Sequence, residues 1–382
     1  IAGSAVAEPR MFFGRREEFE KIRNNLEGQF KDNIIVLHGQ RRTGKSSMLI
    51  QMQNHLDLKE YLCVYINLES LITPGLQNFL FRISTLIVRE LERKGIQTYR
   101  PEFDDFSKDP SVYFTDTFLS NIYKKIKNRK LLLMLDEFEQ LERRVNDGKL
   151  DRDIFPFLRD LMQYQDHLSF ILAGAHKLNE MRSDYWNVLF NITQYVKLGY
   201  LDKESSYKLI QEPVKDYIQY DPLTVEKIYR MTAGQPYFIQ LICHGLFNKY
   251  RRDKKNYITI NDVNIALQET VLAGSGQLDY IWNTASWHEK IAMATISDLS
   301  RNENERIRLN LIGARLKELH FSMEDKNLRE ALNHLIDQEI ISGDAHFDSF
   351  MFKIDLVRYW LKETHPIGKA IEEYQHSLIQ KS

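Results

Sequence analysis

Eight consecutive residues, Gly39-Gln-Arg-Arg-Thr-Gly44-Lys45-Ser46, have the types and the spacing of a phosphate-binding loop. The two glycines allow backbone N–H groups to curl around phosphate oxygens. Lys45 would then reach the β and γ oxygens of a nucleoside triphosphate, while the Ser46 hydroxyl would ligate Mg²⁺. The nucleotide contacts predicted for this loop are Gly39, Arg42, Thr43, Gly44, Lys45, Ser46 and Ser47.

A second motif is the run LLLMLDEFE at residues 131–139, in which an apolar strand delivers Asp136 and Glu137 to its carboxyl end. Ligands of open α/β sheets bind at that edge. Taken alone, two acidic residues after a strand usually form a solvated turn. Together with a phosphate loop, they predict that Asp136 holds Mg²⁺ through water and that Glu137 orients or deprotonates the attacking water. The predicted catalytic residues are therefore Lys45, Asp136 and Glu137, and the predicted metal ligands are Ser46 and Asp136.

Residues that sense the γ-phosphate are harder to choose. An apolar run at 168–172 is followed by His176, which is either a γ-phosphate contact or a loop histidine in solvent. Arg41, Arg42 and Arg182 are candidates for sensing or for contacting the nucleotide of a neighbouring subunit, although basic residues near loops are usually solvated. These alternatives stay open.

Positioning these residues requires a sheet whose strands end at one edge. Continuous apolar runs predict strands covered by helices on both faces, at 33–38, 62–66, 131–135, 168–172 and, more weakly, 194–198. Helical patterns lie near 43–56, 76–94, 111–127 and 153–165. This alternation predicts an α/β fold for residues 1–200, a P-loop NTPase domain with a mainly parallel sheet.

After Gly199 the strand patterns nearly stop. Helical segments near 203–212, 222–232, 236–250 and 261–272 predict a helical lid domain over residues 201–273, followed by a linker at 273–277. Three further helices, near 286–298, 311–319 and 326–338, precede a two-strand pattern from Ile340 to Ile354. These predict a winged-helix domain over 274–364, with a C-terminal helix or tail at 365–382.

The composition is that of an ordinary globular chain. Of 382 residues, 43% are apolar and 27% are charged, and the formal net charge is -1, so no overall field attracts nucleic acid or anionic lipid. Cys63 and Cys243 lie in apolar runs and are expected to be buried thiols. Without a visible signal peptide or membrane span, a cytoplasmic protein is expected. Because the first residue is Ile1 and not Met, a piece of a longer polypeptide or a trimmed chain is expected.

Several segments together resemble the STAND class of signalling ATPases and the archaeal-type ATPases, which are related to the AAA+ origin-recognition initiators. Met11-Phe-Phe-Gly-Arg15 is similar to their FxGR element, and Gly234-Gln-Pro236 is similar to the GxP motif of their helical lid. The segment at 352–362 is similar to their wing strand and final helix. The resemblance implies that Pro236 contacts the base or ribose and that the residues near the adenine are Phe13, Gly14 and Arg15.

Two functions are compatible with these features. In the first, ATP and ADP operate a regulatory switch with slow hydrolysis: ADP holds sheet, lid and winged helix closed, and exchange for ATP opens them toward oligomerisation or release of an effector. Its partners would be proteins or fused sensor and effector domains, without a membrane. In the second, the winged helix reads DNA, as in initiator or transposition-helper ATPases. A small-molecule kinase is disfavoured by the long extension after the sheet.

The charge of the C-terminal region distinguishes the regulatory switch from the DNA-acting ATPase. Residues 275–382 hold 13 basic and 17 acidic residues, and the presumed recognition helix with its flanks, 324–339, holds 2 basic and 5 acidic residues. Binding to DNA phosphates needs the opposite sign. The sequence therefore favours the switch and disfavours DNA as a partner.

Overall fold

The computed structural model describes residues 3–27, 34–55, 60–71, 74–175, 193–254, 256–272, 276–344 and 348–379. The chain divides after Gly199 into two units, one formed by Ser4–Gly199 and the other containing Tyr200–Ser382.

Five strands of the first unit form a single parallel sheet: β1 Ile34–His38, β2 Tyr61–Asn67, β3 Lys130–Asp136, β4 Leu168–Gly174 and β5 Gln194–Lys197. Strands β1 and β4 are buried at every residue, which explains why their sequences do not alternate. The predicted parallel α/β fold is confirmed, and each predicted strand is present with ends within two residues of the expected ones.

The strand order is β2-β3-β4-β1-β5, so β4 lies between β1 and β3. At the carboxyl edge, Gly174 of β4 is in register with His38 of β1, and Ala173 with Asp136 of β3. Since neighbouring strands are spaced by about 4.8 Å, the ends of β1 and β3 lie roughly 10 Å apart. The phosphate loop and the acidic pair therefore share one edge, on either side of the end of β4.

Helices cover both faces of this sheet: α1 Arg16–Glu27, α2 Lys45–His55, α3 Leu76–Arg93, α4 Pro110–Val112, α5 Ser120–Ile126, α6 Gln140–Asn146 and α7 Ile154–Tyr164. Successive strand residues point to opposite faces. One face packs with α1 and α2 through residues such as Ile35 and Met134. The other packs with α3, α5, α6 and α7 through residues such as Val36 and Leu133.

The helix predicted over 111–127 is interrupted. Between α4 and α5 the chain forms a π-helical segment, Tyr113–Leu119. Phe114 and Phe118 of this segment are buried and stacked, with ring centroids 5.6 Å apart. A π turn contains more residues than an α turn, which an apolar pattern of this length does not reveal.

The second unit starts with the predicted helices of the lid, interspersed with two short strands: α8 Lys203–Gln211, β6 Gln219–Tyr220, α9 Pro222–Thr232, α10 Pro236–Asp253, β7 Tyr257–Ile258 and α11 Ile260–Leu272. Asp202 caps α8 by accepting the N–H of Ser205 at 2.8 Å. The parallel pair β6 and β7 was not predicted, because two-residue strands leave no periodic pattern.

The remaining elements are α12 Gly276–Thr284, α13 Trp287–Leu299, β8 Ile307–Arg308, α14 Leu309–Glu318, α15 Asp325–Asp337, β9 Ile341–Asp344, β10 Ser349–Phe352, α16 Asp355–Thr364 and α17 Ile367–Ile379. The three strands are antiparallel in the order β8-β10-β9. The linker predicted to extend to residue 277 is wrong at its end, since Gly276 and Gln277 begin α12 and Gln277 is buried. Residues 273–275 lie outside the described residues.

Within the described ranges, no helix is both long enough and apolar enough to cross a membrane. Cys63 is buried and Cys243 partly so, and neither forms a disulfide. Burial raises the pKa of both thiols to about 12.

Candidate nucleotide-binding site

The loop between β1 and α2 is a tight turn held against the sheet. Gly39 donates its N–H to the Gly174 carbonyl at 3.3 Å. A Cβ atom at Gly39 would lie 2.2 Å from the carbonyl oxygen of Leu198, so a larger residue does not fit here. Arg42 and Gly44 have left-handed backbones, with φ of 68° and 101°. Such turns direct successive N–H groups into one concavity, the arrangement that binds anions.

Lys45 is the first residue of α2, whose unpaired N–H groups and dipole favour an anion at this end. Its side chain is buried, and Nζ donates to the carbonyls of Gly39 at 2.8 Å and Gln40 at 3.0 Å. Burial lowers the pKa of Lys45, and this shift is opposed by the nearby carboxylates of Glu137, Glu139 and Asp136. The structure therefore brings the loop lysine and the predicted acidic pair together.

Asp136, one of the two predicted metal ligands, is held by a hydroxyl group on the neighbouring strand. Asp136, 1% exposed, accepts the Tyr65 hydroxyl on Oδ2 at 2.9 Å and the Glu137 N–H on Oδ1 at 3.1 Å. Burial and Asp136 raise the pKa of the Tyr65 hydroxyl, and the nearby Ser46 side chain lowers it. The Asp136 and Ser46 oxygens fit Mg²⁺, which usually takes one or two protein ligands and completes its shell with water and phosphate. In the described part of the chain, no group of three His, Cys, Asp or Glu residues could hold a metal on its own.

Glu137 immediately follows β3 with a left-handed backbone, φ 55°. For a residue other than glycine this conformation costs on the order of 1 kcal/mol or more, and such residues cluster at functional sites. Burial raises the pKa of Glu137, Glu139 raises it further, and Lys45 lowers it. A carboxylate with a raised pKa is a stronger proton acceptor, so these surroundings suit a general base.

Sequence reasoning missed Glu139. Its Oε1 accepts the N–H of Ala175, just past the end of β4, and its Oε2 is buried without a partner among the described residues. A Cβ atom on Gly174 would lie 2.6 Å from both oxygens. Glu139 therefore holds the end of β4 beside the acidic pair. The only sequence signal is a second glutamate after the strand, and its partner becomes apparent only from the strand order.

Arg15 joins three parts of the first unit. It is 7% exposed, and Nη2 donates to the carbonyls of Thr43 at 2.9 Å and Gly199 at 2.8 Å. Nη1 pairs with Glu18 at 3.2 Å. Gly14 and Arg15 both have left-handed backbones, with φ of 73° and 72°, which turn the chain into α1. One guanidinium thus fastens the phosphate loop to the last residue of the unit.

The neighbouring aromatic residues differ in their surroundings. Phe12 packs edge-on against Phe19 of α1, with ring centroids 5.9 Å apart, and contacts the core on the α1 and α2 face. Phe13 is half-buried and does not belong to that core cluster. An adenine contact by Phe13 stays a prediction.

Two predicted loop contacts have hydroxyls engaged elsewhere. The Thr43 hydroxyl donates to the Gln40 carbonyl at 2.9 Å, within the loop. The Ser47 hydroxyl accepts the Val6 N–H at 2.9 Å, and Gln51, one turn further along α2, donates to the carbonyls of Val6 at 2.8 Å and Ala7 at 3.0 Å. We call residues 6 and 7 the N-terminal strap. The Ser47 hydroxyl is thus bound to the strap.

In the second unit, the predicted GxP motif builds the start of α10. Gly234 has φ 79°, and a Cβ atom there would lie 2.1 Å from the Leu201 carbonyl oxygen. The Gln235 side chain accepts the Phe238 N–H at 2.8 Å, and Pro236 is the first helical residue, where its missing N–H costs nothing. These roles account for the tripeptide structurally, and a nucleotide contact by Pro236 stays a prediction.

The structure does not test the sensing candidates. His176 and Arg182 lie outside the described residues. Arg41 and Arg42 are exposed residues of the phosphate loop itself. Their proposed roles toward the γ-phosphate stay predictions.

The loop at the end of β1 forms a concavity lined by backbone N–H groups and by the buried Lys45, and carboxylates at the end of β3 face it. Such a concavity is suited to bind nucleotide phosphates. The first unit is therefore a P-loop nucleotide-binding domain.

Residues 12–242 match the model of a family described as an ATPase domain predominantly from Archaea. The chain is 23% identical over 295 residues to an uncharacterized ATP-binding protein of Methanocaldococcus jannaschii, covering 66% of this chain and 74% of that protein. Among solved structures, the Walker-type ATPase of Pyrococcus abyssi has a TM-score of 0.68 at 15% identity, with 94% of this chain and 99% of that chain covered. The ORC2 protein of Aeropyrum pernix, solved in ADPNP-ADP complexes, has a TM-score of 0.62 at 17% identity, covering 91% and 94%.

The chain belongs to this archaeal ATPase family and is an ATP-binding P-loop ATPase. The predicted resemblance to archaeal-type ATPases is confirmed. The two solved structures share the fold over most of both chains.

We expect Arg15→Ala to destabilise the first unit by about 2 to 4 kcal/mol, because two carbonyls lose a charged donor in a buried position. Hydrogen exchange of the β1 and β5 amides in the whole protein measures this loss. Glu18→Gln is the control: it removes only the partly exposed ion pair of Arg15 and should cost less than about 1 kcal/mol. Equal exchange in Arg15→Ala and the wild type would contradict the fastening role.

Proposed function

We propose that this ATPase is a Mg²⁺-dependent switch of low turnover, in the manner of the STAND class. The observation that carries the proposal is the double contact of Arg15, which bonds both the phosphate loop at Thr43 and the chain at Gly199. Gly199 is the last residue before the second unit. A change in the loop on nucleotide exchange therefore has a direct route to the point where the second unit begins.

The chemistry uses groups that already lie together. The loop N–H groups and Lys45 would bind the β- and γ-phosphates, and Ser46 and Asp136 would hold Mg²⁺, which neutralises charge on the phosphate oxygens. Glu137 would accept a proton from the attacking water. Low turnover follows from the proposed role, because the output of a switch is the difference between its ATP-bound and ADP-bound forms and not the amount of ATP hydrolysed.

The proposed output is a change in how the second unit is held. Pro236 contacts the base or ribose of bound ADP in this proposal, so ADP stabilises a closed form, and exchange for ATP releases it. A ligand at 100 times its dissociation constant adds about 2.7 kcal/mol to the form that binds it. The proposed partners are other proteins, fused sensor and effector domains, or further copies of the chain after exchange, in a cytoplasmic setting.

Small-angle scattering of the whole protein tests the switch. We expect a smaller radius of gyration with ADP than with ATP in a hydrolysis-deficient Glu137→Gln background. Pro236→Ala should reduce this difference. Pro222→Ala is a matched control, because Pro222 also occupies the first position of a lid helix and is exposed.

Identical scattering profiles in the two nucleotide states, at equal and saturating occupancy, would contradict a nucleotide-driven opening of this chain. Equal effects of Pro236→Ala and Pro222→Ala would show that Pro236 acts only through the start of its helix.

We interpret α13, α14 and α15 with strands β8, β9 and β10 as a winged helix, of which α15 would be the recognition helix. Its two basic residues are paired with acids: Lys326 with Glu330 at 3.8 Å, and Arg329 with Asp325 at 3.1 Å and Asp348 at 3.2 Å. Both cations of this helix are thus paired with acids, which supports protein partners instead of DNA phosphates. A salt-sensitive affinity for duplex DNA that Arg329→Ala removes would favour the initiator-like alternative.

A further inference from the structure

Tyr65 of β2 has a hydroxyl group that contacts Asp136, one of the two side chains proposed to ligate Mg²⁺. It donates to Oδ2 of Asp136 at 2.9 Å. Burial and Asp136 raise the pKa of this hydroxyl, and the nearby Ser46 side chain lowers it. The ring packs against the core on the α1 and α2 face of the sheet. A half-buried tyrosine hydroxyl needs a polar partner, and here the partner is the carboxylate of the proposed metal site.

The sheet register explains this position. Asn67 lies opposite Asp136 and Tyr65 lies opposite Met134 in the pairing of β2 with β3. Residues two apart on a strand share a face, so Tyr65 is on the same face as Asp136 and one step back from the carboxyl edge. A tyrosine at this distance places its terminal oxygen at the edge, whereas a shorter residue would not reach.

Helix α2 also fixes the backbone of Tyr65. The side chain of Gln53 accepts the Tyr65 N–H at 2.5 Å. This N–H can bond to a group outside the sheet because β2 is an edge strand. Ser46 and Gln53 are seven positions apart, which places them two turns apart on one face of α2. The helix that begins at the phosphate loop thus holds the main chain of Tyr65, and Asp136 holds its hydroxyl.

We propose that Tyr65 is a positioning residue of the magnesium site, whose hydroxyl fixes the orientation of the Asp136 carboxylate before the nucleotide arrives. This inference rests on the proposed Mg²⁺-dependent function. Ligands that are already ordered lose less freedom on binding, so the benefit should appear only when Mg²⁺ enters with the nucleotide.

Tyr65→Phe tests the inference, because it removes the hydroxyl and keeps the ring. The affinity for a non-hydrolysable ATP analogue is measured with a chelator and with saturating Mg²⁺, and the ratio of the two is the magnesium gain. We expect Tyr65→Phe to reduce this gain about two- to tenfold and to leave the metal-free affinity unchanged. Tyr61→Phe is the control, since its hydroxyl on the same strand donates to the Leu26 carbonyl at 2.9 Å, in the core.

If Tyr65 acts through Asp136, Tyr65→Phe should have no further effect on the gain in an Asp136→Asn background. A magnesium gain in Tyr65→Phe equal to that of wild type, or an equal loss with and without Mg²⁺, would overturn the positioning role. Absence of any magnesium gain in the wild-type protein would instead overturn the proposed Mg²⁺ dependence itself, and this inference with it.

Discussion

Replacing Lys45 with alanine is expected to abolish measurable binding of Mg-ATP. The substitution removes an ammonium group held inside the loop by the carbonyls of Gly39 and Gln40. Each hydrogen bond from a charged donor contributes about 1.5 to 3 kcal/mol, so the loss of contacts to two phosphates lowers affinity by a factor of about 100 or more. Calorimetric titration with Mg-ATP measures the change.

Lys21→Ala provides the control, because Lys21 is an exposed lysine on α1. It should bind Mg-ATP like the wild type. Folding should survive in both variants, as judged by hydrogen exchange of the sheet. If Lys45→Ala bound within a few fold of wild type, the loop would not be the phosphate site.

The second large effect is expected from Glu137→Gln, which should separate binding from hydrolysis. The amide keeps the shape of the side chain but does not accept a proton from water. We expect ATP affinity close to that of wild type and a hydrolysis rate lower by about 10²- to 10⁴-fold. Single-turnover hydrolysis, measured alongside equilibrium binding, gives both quantities.

Glu20→Gln is a suitable control for this experiment, since Glu20 is exposed on α1 and should affect neither quantity. Normal hydrolysis by Glu137→Gln would exclude it as the base. Glu139 would then be the next carboxylate to substitute, because it lies near Lys45 and next to the end of β4.

Much of the site followed from sequence because its motifs are local. The loop needs glycines at fixed positions and a strand before it, and the acidic pair needs a buried strand that ends at Asp136. Both requirements are visible in short runs of residues. The meeting of Lys45 with Glu137 then follows from the rule that parallel strands end at one edge.

Tyr65 and Glu139 were missed because their partners are set by tertiary structure. Tyr65 sits in the apolar run of β2, and only the register of β2 against β3 shows that its hydroxyl reaches Asp136. Glu139 bonds to Ala175 because β4 lies next to β3, an order that helix and strand patterns do not specify. Among whole elements, the π-helical segment and α12 were missed for a related reason: neither has a local signal that distinguishes it from an α-helix or from a linker.

The N-terminal strap gives the chain a particular point of attachment. Val6 and Ala7 are hydrogen-bonded to Ser47 and Gln51, so the strap is attached to α2, the helix that starts at Lys45. A fluorescent label or a fused protein placed ahead of Ser4 would therefore be tethered to the helix that begins at the phosphate loop. Such a tag would report on the loop, and a pulling force applied through it would act first on the phosphate-binding end of the molecule.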